Sequence, residues 1–210
     1  MDLDAIHRNL PNAIYNGELD VHYQPQYDIE SKGSSHLEAL VRWHHPQYGF
    51  VSPAIFIPVA EELGLVEEIT YFVIERVISD FCEWQKSAMP LASIAINISA
   101  RLISCENKSK RLIALLSSIK SFAPHIVLEL TETAMVQNVH LAHYCMEQFR
   151  ELGYKIALDD FGTGYSSLAY LLEFPIDIIK IDRCFVSKLQ TCSKGTVIIS
   201  SIIALASQLG

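Results

Sequence analysis

A mixed α/β fold, with strands and helices alternating to build a (β/α) barrel, is the architecture that this 210-residue sequence predicts. Three observations carry it. Short apolar runs of strand length alternate with amphipathic stretches of helical length, the pattern of a mainly parallel sheet with helices outside it. Half of the residues are apolar, enough to bury one sizeable core in a single domain. Finally, a polar residue interrupts or closes one strand after another: Glu38, Asn97, Glu129, Asp159 and Lys180. An open doubly wound sheet gathers ligands at one switch point, whereas a barrel collects them at the carboxyl ends of its strands. Recurrence over five strands favours the barrel.

The elements follow in order. Residues 4–16 read as a short amphipathic helix, with Ile6, Leu10 and Ile14 at helical spacing. Over 19–27, Val21, Tyr23 and Pro25 alternate with His22, Gln24 and Gln26, which predicts a first strand. Residues 30–35 form a polar turn around Gly33. The second strand, 37–43, sets Glu38, Leu40 and Arg42 on one face and Leu37, Ala39 and Val41 on the other. A loop holding Pro46, Gly49 and Pro53 leads to helical segments over 58–62 and 69–86. The third strand is 93–99, with Ala95, Asn97 and Ser99 facing one way, followed by a helix over 108–122 that stops before Pro124. The fourth strand, 126–131, aligns Val127, Glu129 and Thr131. A helix over 139–152 ends at Gly153, a suitable C-cap. The fifth strand opens on the apolar Ile156–Leu158, the sixth covers 176–182, and a last helix spans 196–209.

Charge and cysteine usage narrow the setting. A formal net charge of −8 argues against non-specific binding to nucleic acid or to anionic membrane, so an anionic substrate needs local compensation. Cys82, Cys105, Cys145, Cys184 and Cys192 are scattered without a Cys-x-x-Cys pair, which disfavours structural zinc and a disulfide framework. No apolar run follows Met1, and the apolar stretch 196–209 is broken by Ser200, Ser201, Ser207 and Gln208 and is too short to span a bilayer. The expectation is a soluble, cytoplasmic protein with neither DNA nor membrane insertion among its interactions.

The chemistry concentrates in 155–168. There a buried strand runs into Asp159 and Asp160, then into a turn with Gly162 and Gly164. Together with Glu38, Asn97 and Glu129 this makes four carboxylates, those of Glu38, Glu129, Asp159 and Asp160, and one amide oxygen, that of Asn97. Such a set suits Mg²⁺ or Mn²⁺ and is poor for Zn²⁺. Two metals could share it, the arrangement that activates water for in-line attack on a phosphodiester. Lys180 can orient that water or neutralise transition-state charge, and Arg42 can take a phosphate oxygen with its planar fork. Each residue also has a structural reading. Glu38 and Arg42 could form an internal ion pair, Asn97 could bond neighbouring backbone, and Asp159–Asp160 could be a solvated pair opening a turn. Glu132, at or beyond a strand end, is placed to tether the Gly162–Gly164 loop. His44 and His45, before Pro46, read as structural; His140 and His143 read as solvated on one helix face.

These residues resemble a known family. Glu38-Ala39-Leu40, within Leu-Glu-Ala-Leu-Val-Arg-Trp, resembles the signature of EAL domains, the cyclic di-GMP phosphodiesterases. The resemblance continues in Tyr23-Gln24-Pro25, Pro53-Ala-Ile-Phe-Ile-Pro58, Ile96-Asn97-Ile98-Ser99, Leu128-Glu129-Leu130-Thr131-Glu132 and Lys180-Ile181-Asp182. Its most specific part is Asp159-Asp160-Phe161-Gly162-Thr163-Gly164-Tyr165-Ser166-Ser167-Leu168. By resemblance, Glu38, Asn97, Glu129, Asp159 and Asp160 are metal ligands and Lys180 holds the nucleophilic water. Glu132 holds the loop, Asp182 supports the site from behind, and Arg42, Leu40 and Gln24 contact substrate. The implied reaction is hydrolysis of cyclic di-GMP to linear pGpG with Mg²⁺ or Mn²⁺. The implied fold is a TIM-like barrel of the EAL type with one antiparallel strand, in a protein that forms homodimers and often follows sensory or GGDEF domains.

The resemblance departs at the carboxyl end. Family members continue into a strand with an Ala-Glu-Gly-Val-Glu-like motif, whose first Glu is a further metal ligand, whereas this sequence stops at Gly210. Six strands are legible where a (β/α)₈ barrel needs eight. The expectation is a single EAL domain over 1–210, C-terminally truncated, with an incomplete barrel. The alternative function is a catalytically impaired module acting as a cyclic di-GMP receptor or protein-interaction domain, or an inactive fragment.

Overall fold

The computed structural model describes residues 2–28, 33–87, 91–162, 168–187 and 193–209. Helix α1 (Leu3–Ala13) starts at Asp2, whose carboxylate accepts the Ala5 N–H, and buries Ile6 and Leu10. Strands β1 (Leu19–Asp28) and β2 (Gly33–His45) form a long antiparallel pair. The polar turn expected over 30–35 is thereby corrected in part: Gly33 pairs with Asp28 and 33–35 extend the strand, while 29–32 lie outside the described residues. Pairing partners, not hydropathy, carry the strand this far. Pro25 is tolerated because β1 is an edge strand.

A short strand that the sequence pattern did not reveal, β3 (Gly49–Val51), folds back on β2 with Gly49 at φ +69. Helix α2 (Pro53–Leu63) begins earlier than expected, with Pro53 in its first turn, and ends at Gly64. That glycine is left-handed and donates its N–H to the Ala60 and Glu61 carbonyls. Helix α3 (Val66–Lys86) follows.

The remaining strands are β4 (Ser93–Asn97), β5 (Ile126–Thr131), β6 (Lys155–Phe161) and β7 (Ile178–Ile181). Between them lie α4 (Ala100–Ile103), α5 (Glu106–Ser118), a 3₁₀ segment at Lys120–His125, α6 (Glu132–Gln137), α7 (Val139–Glu151) and α8 (Leu168–Glu173). After β7 come α9 (Arg183–Val186) and α10 (Ser193–Leu209). The sheet order is β1-β2-β4-β5-β6-β7, with β3 beside β2. β1 runs antiparallel to β2, and the steps from β2 through β7 are parallel. Among the described residues β1 and β7 each have one neighbour, so the sheet is an open arc, as expected of an incomplete TIM-like barrel.

The two faces of this arc differ in chemistry. Val21, Ala39, Ile94, Ile96, Leu128, Leu130, Ile156 and Leu158 point outward into the main core, which α3, α5 and α7 close with Val73, Leu112 and Phe149. A second core joins α1, α2 and the β2–β3 hairpin around Trp43 and Phe56. On the inner face, small Ala95, Val127 and Ala157 make a buried layer of their own. Above that layer, toward the strands' carboxyl ends, the inner positions become polar.

Candidate active site at the strand ends

The strand register assembles the polar residues. Glu38 pairs with Ala95, Asn97 with Glu129, and Thr131 with Asp159, so inward-facing side chains step around one rim. Oxygen atoms of Glu38, Glu129 and Asp159 lie within 4.8 Å of one another. Lys180, from β7, reaches into them: its Nζ donates to Glu129 Oε2 at 2.7 Å and to Glu38 Oε2 at 3.1 Å, with Asp159 Oδ2 at 3.5 Å. Asn97 Nδ2 donates to Glu38 Oε1 at 3.1 Å. Three carboxylates against one ammonium give the cluster an acidic excess.

Burial sets the titration of this group. Glu129 has a side chain only 1% exposed. Burial pushes its carboxyl up to about 7, opposed by the hydrogen bond and charge of Lys180 and reinforced by Glu38 and Asp159. For Lys180, burial works against the charge, but the hydrogen bond it donates to Glu129 and the surrounding carboxylates prevail and raise its pKa. The pair is anchored by a fixed cation, with the carboxylates sharing it.

Asp159 and Asp160 sit in a β-bulge. Leu158 pairs with Ile179 and Phe161 with Ile181, so both aspartates stand opposite the single residue Lys180. The extra residue changes which side chain faces where. Asp159 turns inward to the carboxylates while Phe161, which strict alternation would also send inward, is buried in the outer core. Asp160 takes the left-handed conformation, φ +57, and its N–H is held by Asp159 Oδ1 at 3.0 Å. Its carboxyl is raised by burial and by the charges of Asp159 and Asp182, the latter close beside it. Asp182 caps α9, accepting the Cys184 N–H at 2.7 Å, and that bond holds its own carboxyl low.

The remaining sequence-predicted residues separate into groups. Glu132 is the first residue of α6 and accepts the Gly162 N–H at 2.7 Å, as expected of a loop tether. Gly164, the other end of that loop, lies outside the described residues, as does Cys192. Leu40 and Arg42 line, with Glu38 and Asn97, a cavity of about 540 Å³ over the rim. Arg42 donates to the Val41 carbonyl at 3.0 Å and makes no ion pair with Glu38 among the described residues. Gln24 pairs with Glu38 across β1 and β2 and is exposed, outside the lining of that cavity. His45 is buried and accepts the Gln47 N–H, a structural role, whereas His44 is exposed beside His22 and Phe50. The expectation of solvated histidines on α7 fails for His143, whose half-buried ring packs on Phe174.

The sequence pattern missed Glu61, on the cavity wall. Ser99 Oγ donates to Glu61 Oε1 at 2.6 Å, tying α2 to the segment just past β4. The inward setting of Ser99 was legible from its spacing to Asn97; a helix partner 38 residues earlier leaves no local signal.

Residues 7–210 match the family model described as the EAL domain. The chain belongs to the EAL domain family. Its similarity to curated EAL proteins includes the cyclic di-GMP phosphodiesterase PdeR of Escherichia coli (strain K12), 38% identical over 201 residues, 96% of this chain and 30% of that protein. The cyclic di-GMP phosphodiesterase NbdA of Pseudomonas aeruginosa is 34% identical over 200 residues, 95% of this chain and 26% of that protein. This EAL chain thus spans roughly a quarter to a third of the length of these curated relatives. Among solved structures, the PaMucR phosphodiesterase in complex with c-di-GMP superposes with a TM-score of 0.89 at 33% identity, covering 98% of this chain and 83% of that one. The EAL enzyme Bd1971, bound to cAMP and cyclic-di-GMP, gives 0.85 at 35% identity, covering 99% and 57%. Among the described residues of the EAL chain no helix is long and apolar enough to cross a membrane.

Proposed function

We propose that this chain is one EAL unit that hydrolyses cyclic di-GMP to linear pGpG, with Mg²⁺ or Mn²⁺ held by its inner carboxylates. The observation that carries the reading is the convergence of Glu38, Glu129 and Asp159 within 4.8 Å on the rim where Lys180 and Asn97 also arrive. An all-oxygen, net-acidic donor set fits a hard divalent cation. Glu38, Asn97, Glu129 and Asp159 would hold it, with Asp160 adjoining; when bound, it polarises a phosphoryl oxygen and acidifies water.

The chain's own residues supply the rest. Arg42, on the cavity wall with its fork unpaired by any acid among the described residues, clasps a non-bridging phosphate oxygen. Leu40 offers an apolar contact beside it, and Gln24 reaches the substrate from β1. Lys180 presents an ammonium where charge accumulates on the reacting phosphate and where the attacking water must be held. In the reaction, the water oxygen bonds phosphorus, one ester P–O bond breaks, and the departing 3′-oxygen takes up a proton. Glu132 and Asp182 act at one remove, fixing the segments that carry Asp159 and Lys180. The same reading places the protein in the cytoplasm, with self-association into homodimers and a sensory or GGDEF companion domain proposed on family grounds.

The test is turnover of cyclic di-GMP by the purified chain with and without Mn²⁺, alongside Glu38→Ala and Lys180→Ala. Turnover should require the metal, disappear in Glu38→Ala, and fall on the order of 100-fold or more in Lys180→Ala. Undiminished turnover by Glu38→Ala at limiting Mn²⁺ overturns the assignment. Tight binding of cyclic di-GMP without turnover would make the chain a receptor instead.

A further inference from the structure

The β6–β7 ladder is interrupted at the Asp159–Asp160 bulge, so backbone pairing with β7 does not hold the two aspartates. Asp160 nonetheless keeps φ +57, a sparsely populated conformation for a residue with a side chain, and such conformations persist only where neighbours over-determine them. The next glycine shows what those neighbours are. Gly162 has φ +96, and its N–H is fixed by Glu132 Oε1 at 2.7 Å. Against its α-carbon lies the ring of Phe185. A Cβ built on Gly162 would stand 2.9 Å from Phe185 Cε2 and 3.1 Å from Cζ. Glycine is therefore required here twice over, once by the backbone angle and once by the ring. Phe185 is in turn fixed close behind β7, its N–H bonded to the Asp182 carbonyl at 3.1 Å.

The geometry points to Phe185 as a positioning residue whose ring, seated on Gly162, holds the bulge so that Asp159 faces Glu38, Glu129 and Lys180. Glu132 supplies direction from one side through a hydrogen bond. Phe185 supplies exclusion from the other, because its ring fills the space against the Gly162 α-carbon into which Gly162 would otherwise relax. The inference rests on the reading that Asp159 serves the proposed metal site, but the contact itself does not.

Hydrogen–deuterium exchange on the whole metal-free chain, and Mn²⁺ titration by calorimetry, test it with Phe185→Ala and Phe185→Leu. In Phe185→Ala, amides over 156–162 should exchange faster while those over 93–97 stay as in the wild type. Mn²⁺ binding should weaken by about tenfold or more, as when a group supporting a metal ligand is removed. Phe185→Leu should recover much of both. Unchanged exchange over 156–162 in Phe185→Ala overturns the proposal. If Phe185→Ala loses protection throughout, Gly162→Ala decides. Its effect on exchange over 156–162 should be smaller in a Phe185→Leu background than in the wild type, because the shorter side chain leaves room for the added methyl. Equal, additive effects overturn the proposal. A wild-type chain that binds no Mn²⁺ would refute the metal-site reading, and the exchange comparison would still decide the role of Phe185.

Discussion

Glu129 is the residue at which the conflicting demands of the site meet. It is buried, surrounded by two other carboxylates, and bonded to one ammonium. Its carboxyl is raised from 4.5 to about 7 by burial. Between those values the folded chain holds a proton that the unfolded chain gives up, so this group's contribution to metal-free stability declines as pH rises through the window. A divalent cation requires the deprotonated form, and its binding releases the proton. Mn²⁺ affinity, measured by calorimetry, should therefore strengthen as pH rises through the raised Glu129 value. Proton release, obtained by repeating the titration in buffers of different ionisation enthalpy, should shrink in Glu129→Gln. A flat affinity and no proton release would contradict this account. The importance of Glu129 was legible from a carboxylate within Leu128-Glu129-Leu130; its raised pKa was not, because it comes from burial in the folded sheet and from Glu38 and Asp159, which other strands bring beside it against the opposing charge of Lys180.

At the scale of elements, Trp43 shows what the amino-terminal half depends on. Its side chain is fully buried, its Nε1 donates to Glu18 Oε2 at 2.9 Å, and Phe56 packs edge-on against it. It links the β2–β3 hairpin to α1 and α2 and sits one residue beyond Arg42. Trp43→Ala should cost about 3–5 kcal/mol in chemical denaturation. A loss under 1 kcal/mol, within the range of ordinary surface changes, would mean that the second core is not cooperative with the sheet. Strand β5 was read at its observed bounds because one apolar run ended cleanly before Glu132. The short helices α4, α6, α8 and α9 were not anticipated, since one or two turns give too few residues for helical spacing to show. The bulge at Asp159–Asp160 was equally hidden. Nothing in two adjacent aspartates distinguishes a bulge from a turn; the distinction comes from Phe161 being drawn outward into the core.

For the molecule as a whole, the recurrence of one polar residue per strand predicted the barrel rim better than any single motif. It worked because parallel register forces equivalent positions on neighbouring strands to one level. Lys180, lying among three acids, has a consequence for the proposed metal site. Without a counter-charge, three converging carboxylates would repel one another and press the strand ends apart. The chain carries that counter-charge in its own sequence, so its shape does not wait on an ion. Stripping with a chelator should leave the far-ultraviolet circular dichroism intact, and adding Mn²⁺ back should restore turnover without refolding. In Lys180→Ala the stripped protein should melt at lower temperature than the stripped wild type, and Mn²⁺ should recover more of the lost thermal stability than it adds to the wild type. Equal melting of the two stripped proteins would show that Lys180 has no part in this. Under the proposed function, a protein built this way would lie dormant when divalent ions are scarce and resume work when they return.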